Sequence, residues 1–182
     1  LGADTAVNVA LDALDKIRDT ATSLERIFIV EVMGRKCGYI AMQLALAGGC
    51  EDVLIPEKEF NIDYMCENIR LGSQKGKHSW IVIVAEGAAK AQDIAEIISQ
   101  KTNLETRVAV LGHIQRGGRP TAVDRIMGAR FGNYAVRILI EGNTDKCVCF
   151  KDNTYFTIPL ENAIQKKEIE IESYFKLIKT LT

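Results

Sequence analysis

Apolar positions along the chain switch repeatedly between two periods. Ala6, Ala10, Ala13, Leu14 and Ile17 recur at helical spacing, with Asp4 placed to cap that helix. Ile27-Phe28-Ile29-Val30 is then a short unbroken apolar run, the pattern of a strand covered on both faces. The alternation continues. A helix through Ile40, Leu44 and Ala47 ends at Gly48-Gly49, a strand at 53–55 stops at Pro56, and a helix covers 61–72. A strand at 80–84, a helix at 91–100 and a strand at 108–111 follow. This order predicts an α/β fold of three layers, a mainly parallel sheet flanked by helices. Beyond it, Pro120 precedes Thr121-Ala122-Val123-Asp124, a capping-box form that opens a helix to about Glu141, with Gly142 as its stop. Residues 147–150 and 155–158, either side of Asp152-Asn153, predict a hairpin. A final helix is expected over 169–181, its lysine-rich end matched to the negative pole of the helix dipole.

Composition narrows the partners. The chain has 182 residues, 47% of them apolar, and a formal net charge of -1. It is no general nucleic-acid binder, and any preference for anions has to come from local clusters. No apolar run approaches the roughly 18 residues of a membrane span, and Leu1-Gly2-Ala3-Asp4 lacks the basic start of a secretory signal. The five cysteines (Cys37, Cys50, Cys66, Cys147, Cys149) form no C-x-x-C pair, and the two histidines are remote from them in sequence. The expectation is no metal site and reduced, mostly buried thiols in a reducing, cytoplasmic compartment.

Three of the predicted strands end in polar, glycine-flanked sequences: Met33-Gly34-Arg35-Lys36-Cys37-Gly38, Ala85-Glu86-Gly87 and Gly112-His113-Ile114-Gln115-Arg116-Gly117-Gly118. In a parallel sheet these tips share the carboxyl edge, where open α/β sheets bind ligands. Glycine lets backbone approach a ligand, and the helix N-termini after the loops favour anions. Arginine offers a planar fork to phosphate oxygens, whereas glutamate accepts from hydroxyls. Taken singly, an arginine after a strand is most often a solvated loop residue. Taken together, the tips suggest a phosphorylated polyol or sugar. The stretch Gly72-Ser73-Gln74-Lys75-Gly76-Lys77-His78-Ser79 imitates a nucleotide P-loop. It has one residue too few between its glycines, carries His78 where Ser or Thr is needed, and leads into a strand when it should follow one.

The segments 15–23 (Asp-Lys-Ile-Arg-Asp-Thr-Ala-Thr-Ser), Glu31-Val32-Met33-Gly34-Arg35, Val84-Ala85-Glu86-Gly87 and Leu111-Gly112-His113-Ile114-Gln115-Arg116-Gly117-Gly118 closely resemble bacterial-type 6-phosphofructokinases, in order and spacing. The resemblance implies phosphoryl transfer from ATP to fructose 6-phosphate in glycolysis, with Mg2+ and ATP used by the full-length enzyme. Met33, Gly34 and Glu86 would hold the sugar, and His113 and Arg116 its phosphate. Arg35 would stabilise the transferring phosphoryl group. Arg26 and Arg107 would reach the phosphate of a neighbouring subunit in a homo-oligomer, typically a tetramer. Arg18, Gly49, Glu51, Lys75 and Lys77 match effector positions for ADP or phosphoenolpyruvate, Gly49 through a carbonyl toward effector-bound magnesium.

The resemblance also implies that the family's ATP loop and catalytic aspartate lie upstream of residue 1. This chain would then be a substrate-binding part without kinase activity of its own. Residues 1–115 would form the sugar-phosphate domain. Residues 116–164 would pack on a larger domain, exposing Ile126, Met127 and Ile138 when cut from it, and 165–182 would return to the smaller one. Glu25-Arg26 would act as a switch, presenting either sign of charge to the neighbouring site. A pyrophosphate-dependent relative and a non-catalytic sugar-phosphate-binding module are the alternatives.

Overall fold

The computed structural model describes residues 1–24, 26–77, 79–164 and 170–181, with backbone alone at 21–24. Ile169, where the last helix was expected to begin, and Glu25 of the Glu25-Arg26 switch lie outside the described residues. The chain forms two compact units, one of residues 5–118 with 170–181 and one of residues 1–4 with 119–164.

The larger unit is the expected α/β sheet. After α1 (Ala3–Leu24) come β1 (Ile27–Val32), α2 (Tyr39–Ala47), β2 (Asp52–Leu54), α3 (Ile62–Gln74), β3 (Trp80–Ala85), α4 (Ala91–Thr102) and β4 (Thr106–Val110). The strands are all parallel, in the order β2-β3-β1-β4. Val82 and Val84 share a core with Ile27, Ile29, Met65, Ile69, Ile94 and Ile98, between the sheet and helices α3 and α4. Ile81 and Ile83 are equally buried but outside that cluster, as the alternation of a strand requires when both faces are covered.

Local chemistry sets the helix ends. Asn61 Oδ1 accepts from Tyr64 N–H at 3.0 Å to start α3, and Asn103 stops α4 in the left-handed conformation at φ 60°. Asp4 departs from its expected role. It lies inside α1, which begins at Ala3, and its Oδ2 accepts from the Thr121 hydroxyl. The last described helix, here α7 (Glu172–Leu181), packs on α2, with Gln43 Nε2 donating to Tyr174 Oη at 2.8 Å and Ile178 buried.

The smaller unit joins α5 (Ala122–Ile140) to the hairpin β5 (Lys146–Lys151) and β6 (Thr154–Pro159), followed by a short α6 (Leu160–Ala163) that the pattern did not reveal. Thr121 Oγ1 accepts from Asp124 N–H at 3.3 Å, as the capping-box form predicted. Asp152 and Asn153 both take positive φ (49° and 60°), the pair a tight two-residue hairpin turn demands. Tyr155 packs edge-on against Phe131, with centroids 5.2 Å apart, and its hydroxyl meets Met127 Sδ at 3.4 Å. The expected apolar stripe is therefore different. Ile138 is buried and Met127 half-buried, whereas Ile126, Val136, Leu139 and Ile140 are exposed.

Candidate functional site

Because β3, β1 and β4 are neighbours, their three carboxyl ends lie side by side. Past Val32, Cys37 N–H closes a turn on Gly34 carbonyl at 3.0 Å. A Cβ at Gly34 would stand 2.3 Å from the Cys37 carbonyl oxygen, so only glycine fits the turn. Arg35 adopts φ 52°, the left-handed region that costs a side-chain-bearing residue on the order of 1–2 kcal/mol.

The neighbouring tip explains how that backbone is held. Glu86 Oε1 accepts from Arg35 N–H at 2.7 Å and from Gly34 N–H at 3.1 Å. At Gly87 a Cβ would fall 1.8 Å from the Arg35 carbonyl oxygen. The two backbone donors, Arg35's first, hold the Glu86 carboxyl below its ordinary pKa, and the positive charges of Arg116 and Arg35 add to that. Glu86 is exposed and ionised across the neutral range.

The third tip is a 3-10 turn (Gly112–Arg116) that the sequence pattern did not show. It leaves His113 and Arg116 exposed and turns Gln115 inward to 1% exposure. Gln115 Oε1 accepts from Met33 N–H at 2.8 Å, tying the third tip to the first. Its Nε2 finds no partner among the described residues. Sequence reasoning passed over Gln115. An uncharged amide inside a glycine-rich loop was its one signal.

The sheet edge thus brings Met33, Gly34, Arg35, Glu86, His113 and Arg116 onto three adjacent loops. It does not offer the helix N-termini as anion seats. Gly38 N–H, opening α2, donates to both oxygens of Glu57 at 2.9 and 3.0 Å, and Ala91 N–H, opening α4, donates to Glu31 Oε2 at 2.8 Å. The chain's own carboxylates fill both positions.

Arg26 and Arg107 lie elsewhere. Arg26 precedes β1 and Arg107 is the second residue of β4, so both mark the amino edge. Six residues of β1 put this edge about 20 Å from the tips. There Glu105 pairs with both arginines.

The remaining positions also gather at the amino edge. Arg18 Nη2 donates to the carbonyls of Gly48 and Gly49. Glu51 Oε2 accepts from Ile81 N–H at 2.7 Å, while its Oε1 lies 3.1 Å from Lys77 Nζ, which also sits 4.7 Å from the Trp80 ring centroid. Lys75 is exposed and lines, with Glu51, Lys77 and Trp80, a cavity of about 380 Å³. Asp52 lines it too. Burial pushes its carboxyl up to about 6, against the hydrogen bond it accepts from Trp80 Nε1 at 3.2 Å.

A guanidinium already on the Gly49 carbonyl is a poor neighbour for magnesium. Among the described residues no three His, Cys, Asp or Glu side chains are grouped to hold a metal ion. All five cysteines are free, Cys50 and Cys66 buried and the others half-buried. No described helix is long and apolar enough to cross a membrane.

Known proteins resemble this chain in sequence and in fold. The family described as "Phosphofructokinase" matches residues 1–139. An ATP-dependent 6-phosphofructokinase of Bacillus pumilus is 45% identical over all 182 residues, and one of Clostridium tetani 47%. The chain spans 57% of the length of each of these relatives. The solved phosphofructokinase of Saccharomyces cerevisiae superposes with a TM-score of 0.81 at 32% identity, covering 87% of this chain and 23% of that one. The glycine-tight loops and the glutamate that pins them therefore sit within a match covering most of the chain, and the chain belongs to the phosphofructokinase family.

Proposed function

We propose that this chain forms the sugar-phosphate-binding wall of an ATP-dependent 6-phosphofructokinase, a cytoplasmic enzyme that phosphorylates fructose 6-phosphate. The observation that carries this reading is the Glu86 carboxylate. It is ionised, exposed, and fixed by Gly34 and Arg35 N–H groups beside the charge of Arg116. Both of those bonds fall on Oε1, and a carboxylate has further lone pairs to accept from sugar hydroxyls. Arg116 and His113, exposed on the adjacent turn, take the sugar's phosphate.

Arg35 places a permanent positive charge at the same edge, where charge on a transferring phosphoryl group would be stabilised. ATP with Mg2+ supplies that phosphoryl group. This chain's own residues bind and orient the acceptor sugar. Arg26 and Arg107, on the opposite edge, cannot meet the same sugar, and this supports their service to a neighbouring copy in a homo-oligomer. Arg18, Gly49, Glu51, Lys75 and Lys77 are assigned to an anionic effector, ADP or phosphoenolpyruvate. Lys75 and Lys77 are the groups that face its charge, and no magnesium is assigned to Gly49. In the domain assignment, 1–115 is the sugar-phosphate domain, 116–164 packs on a larger domain and 165–182 returns.

The test is a titration of fructose 6-phosphate into the 182-residue chain, followed by amide NMR. Saturable shifts at Gly34, Arg35 and Gly117 are expected, and Arg116→Ala weakens the response at least tenfold, from the loss of a charge-assisted contact of about 1.5–3 kcal/mol. No saturable response at these amides, or equal affinity in the variant, overturns the assignment.

A further inference from the structure

Two arginines close on one carboxylate at the amino edge. Arg26 Nε lies 2.9 Å from Glu105 Oε2, and Arg107 Nη2 pairs with Oε1, so each oxygen serves a different guanidinium. The backbone holds this geometry. Ile27 N–H donates to the Glu105 carbonyl at 3.0 Å, and the register sets Ile27 against Thr106 and Phe28 against Arg107. Glu105 and Arg107 are open to solvent, 47% and 54% exposed, whereas Arg26 is 25% exposed with its Nε buried. The close contact with Arg26, followed by the charge of Arg107, keeps the Glu105 carboxyl below its ordinary pKa.

An exposed pair of this kind contributes little to stability. Its interest lies in its shape. Two like charges repel when brought together, and an anion between them reverses that cost. The two guanidinia therefore form an anion seat, and Glu105 fills it.

Resting on the assignment of Arg26 and Arg107 to the sugar phosphate, we propose that Glu105 is a specificity-determining residue: a tethered carboxylate that admits to the two-arginine seat only an anion of higher charge, a phosphate dianion. A tethered group competes at a high effective concentration. An incoming carboxylate brings one negative charge and the same two oxygens, and gains nothing over Glu105. A phosphate dianion brings up to two negative charges and three acceptor oxygens, enough to engage both forks at once. Glu105 is half exposed where it stands, so once displaced it returns to water with little further desolvation to overcome.

The probes are inorganic phosphate and acetate, titrated into the 182-residue chain at pH 8, where phosphate is dianionic, with the amides of Ile27 and Arg107 followed by NMR. The unaltered chain is expected to respond to phosphate and not to acetate. Glu105→Gln should bind phosphate about tenfold tighter and begin to take acetate, as freed charge-assisted bonds become available. Glu105→Asp, which keeps the charge, should retain the discrimination, and Arg26→Gln with Arg107→Gln should lose the phosphate response.

Phosphate affinity that is unchanged or weaker in Glu105→Gln overturns the proposal. So does an Asp variant that behaves like the Gln variant, or an unaltered chain that takes acetate as readily as phosphate. Fructose 6-phosphate is titrated into the same samples and read at Gly34 and Arg35. A missing response there counts against the sugar site alone, because the two edges report on separate amides.

Discussion

Replacing Glu86 by glutamine changes a charge and almost no volume, and its effect can be worked from two hydrogen bonds. Glu86 Oε1 accepts from Gly34 and Arg35 N–H, and Arg116 and Arg35 add favourable charge. Bonds to an ionised acceptor contribute about 1.5–3 kcal/mol each and neutral ones about 0.5–1.5. The amide oxygen of glutamine can still accept, so the loss is the charge assistance alone, about 1 kcal/mol per bond. Exposure of Glu86 to solvent reduces the pair to a total of about 1 kcal/mol.

The sign with pH follows. The folded-state pKa is depressed, so the stabilisation is fully present above the unfolded carboxylate value of about 4.3 and is lost as pH falls through the lower folded value. Thermal unfolding of both proteins at pH 7 should show the variant melting about 2–4 °C lower, with the gap closing toward pH 3. Fructose 6-phosphate affinity should fall at least tenfold at pH 7, since the variant presents a neutral acceptor to the hydroxyls. A gap in melting temperature that persists undiminished at pH 3 would refute the charge argument, and so would no gap at pH 7.

Two further substitutions probe the frame. Gly87→Ala forces a Cβ to within 1.8 Å of the Arg35 carbonyl. It should destabilise the chain by about 2–3 kcal/mol in urea unfolding and abolish the sugar-phosphate response at Gly34, because the Arg35 loop has to move. Asp52→Asn tests a carboxyl raised to about 6 by burial. The folded protein loses stability as pH rises from about 4 to 6, so the variant should be more stable by about 1–3 kcal/mol at pH 8 and level with the parent near pH 3. Equal stability at pH 8 would show that Asp52 ionises without cost.

Most of the fold was legible because periodicity is a local signal. The apolar run at Trp80–Ala85 and the capping residues Asn61 and Thr121 each act within a few positions of themselves. The tips were legible for the same reason, as glycine-flanked breaks after apolar runs. What escaped were pairings between distant residues. Glu31 and Ala91 are far apart in sequence, as are Gln115 and Met33, and nothing near Glu57 announces that it caps the helix after Gly38. Those partners are set by strand order, which local patterns do not encode. Ile138 was misjudged for a related reason: the face α5 buries depends on where the hairpin with Tyr155 comes to lie.

The crossed hydrogen bonds among the tips also bear on how the site comes into being. Met33, Gly34 and Arg35 receive their orientation from Gln115 and Glu86, which become neighbours only once β4 and β3 have docked on either side of β1. A half-assembled sheet therefore has no half-strength pocket. During refolding, affinity for a sugar phosphate should emerge in the last kinetic phase, after helical content has recovered. Ligand capture then serves as a clock for closure of the sheet.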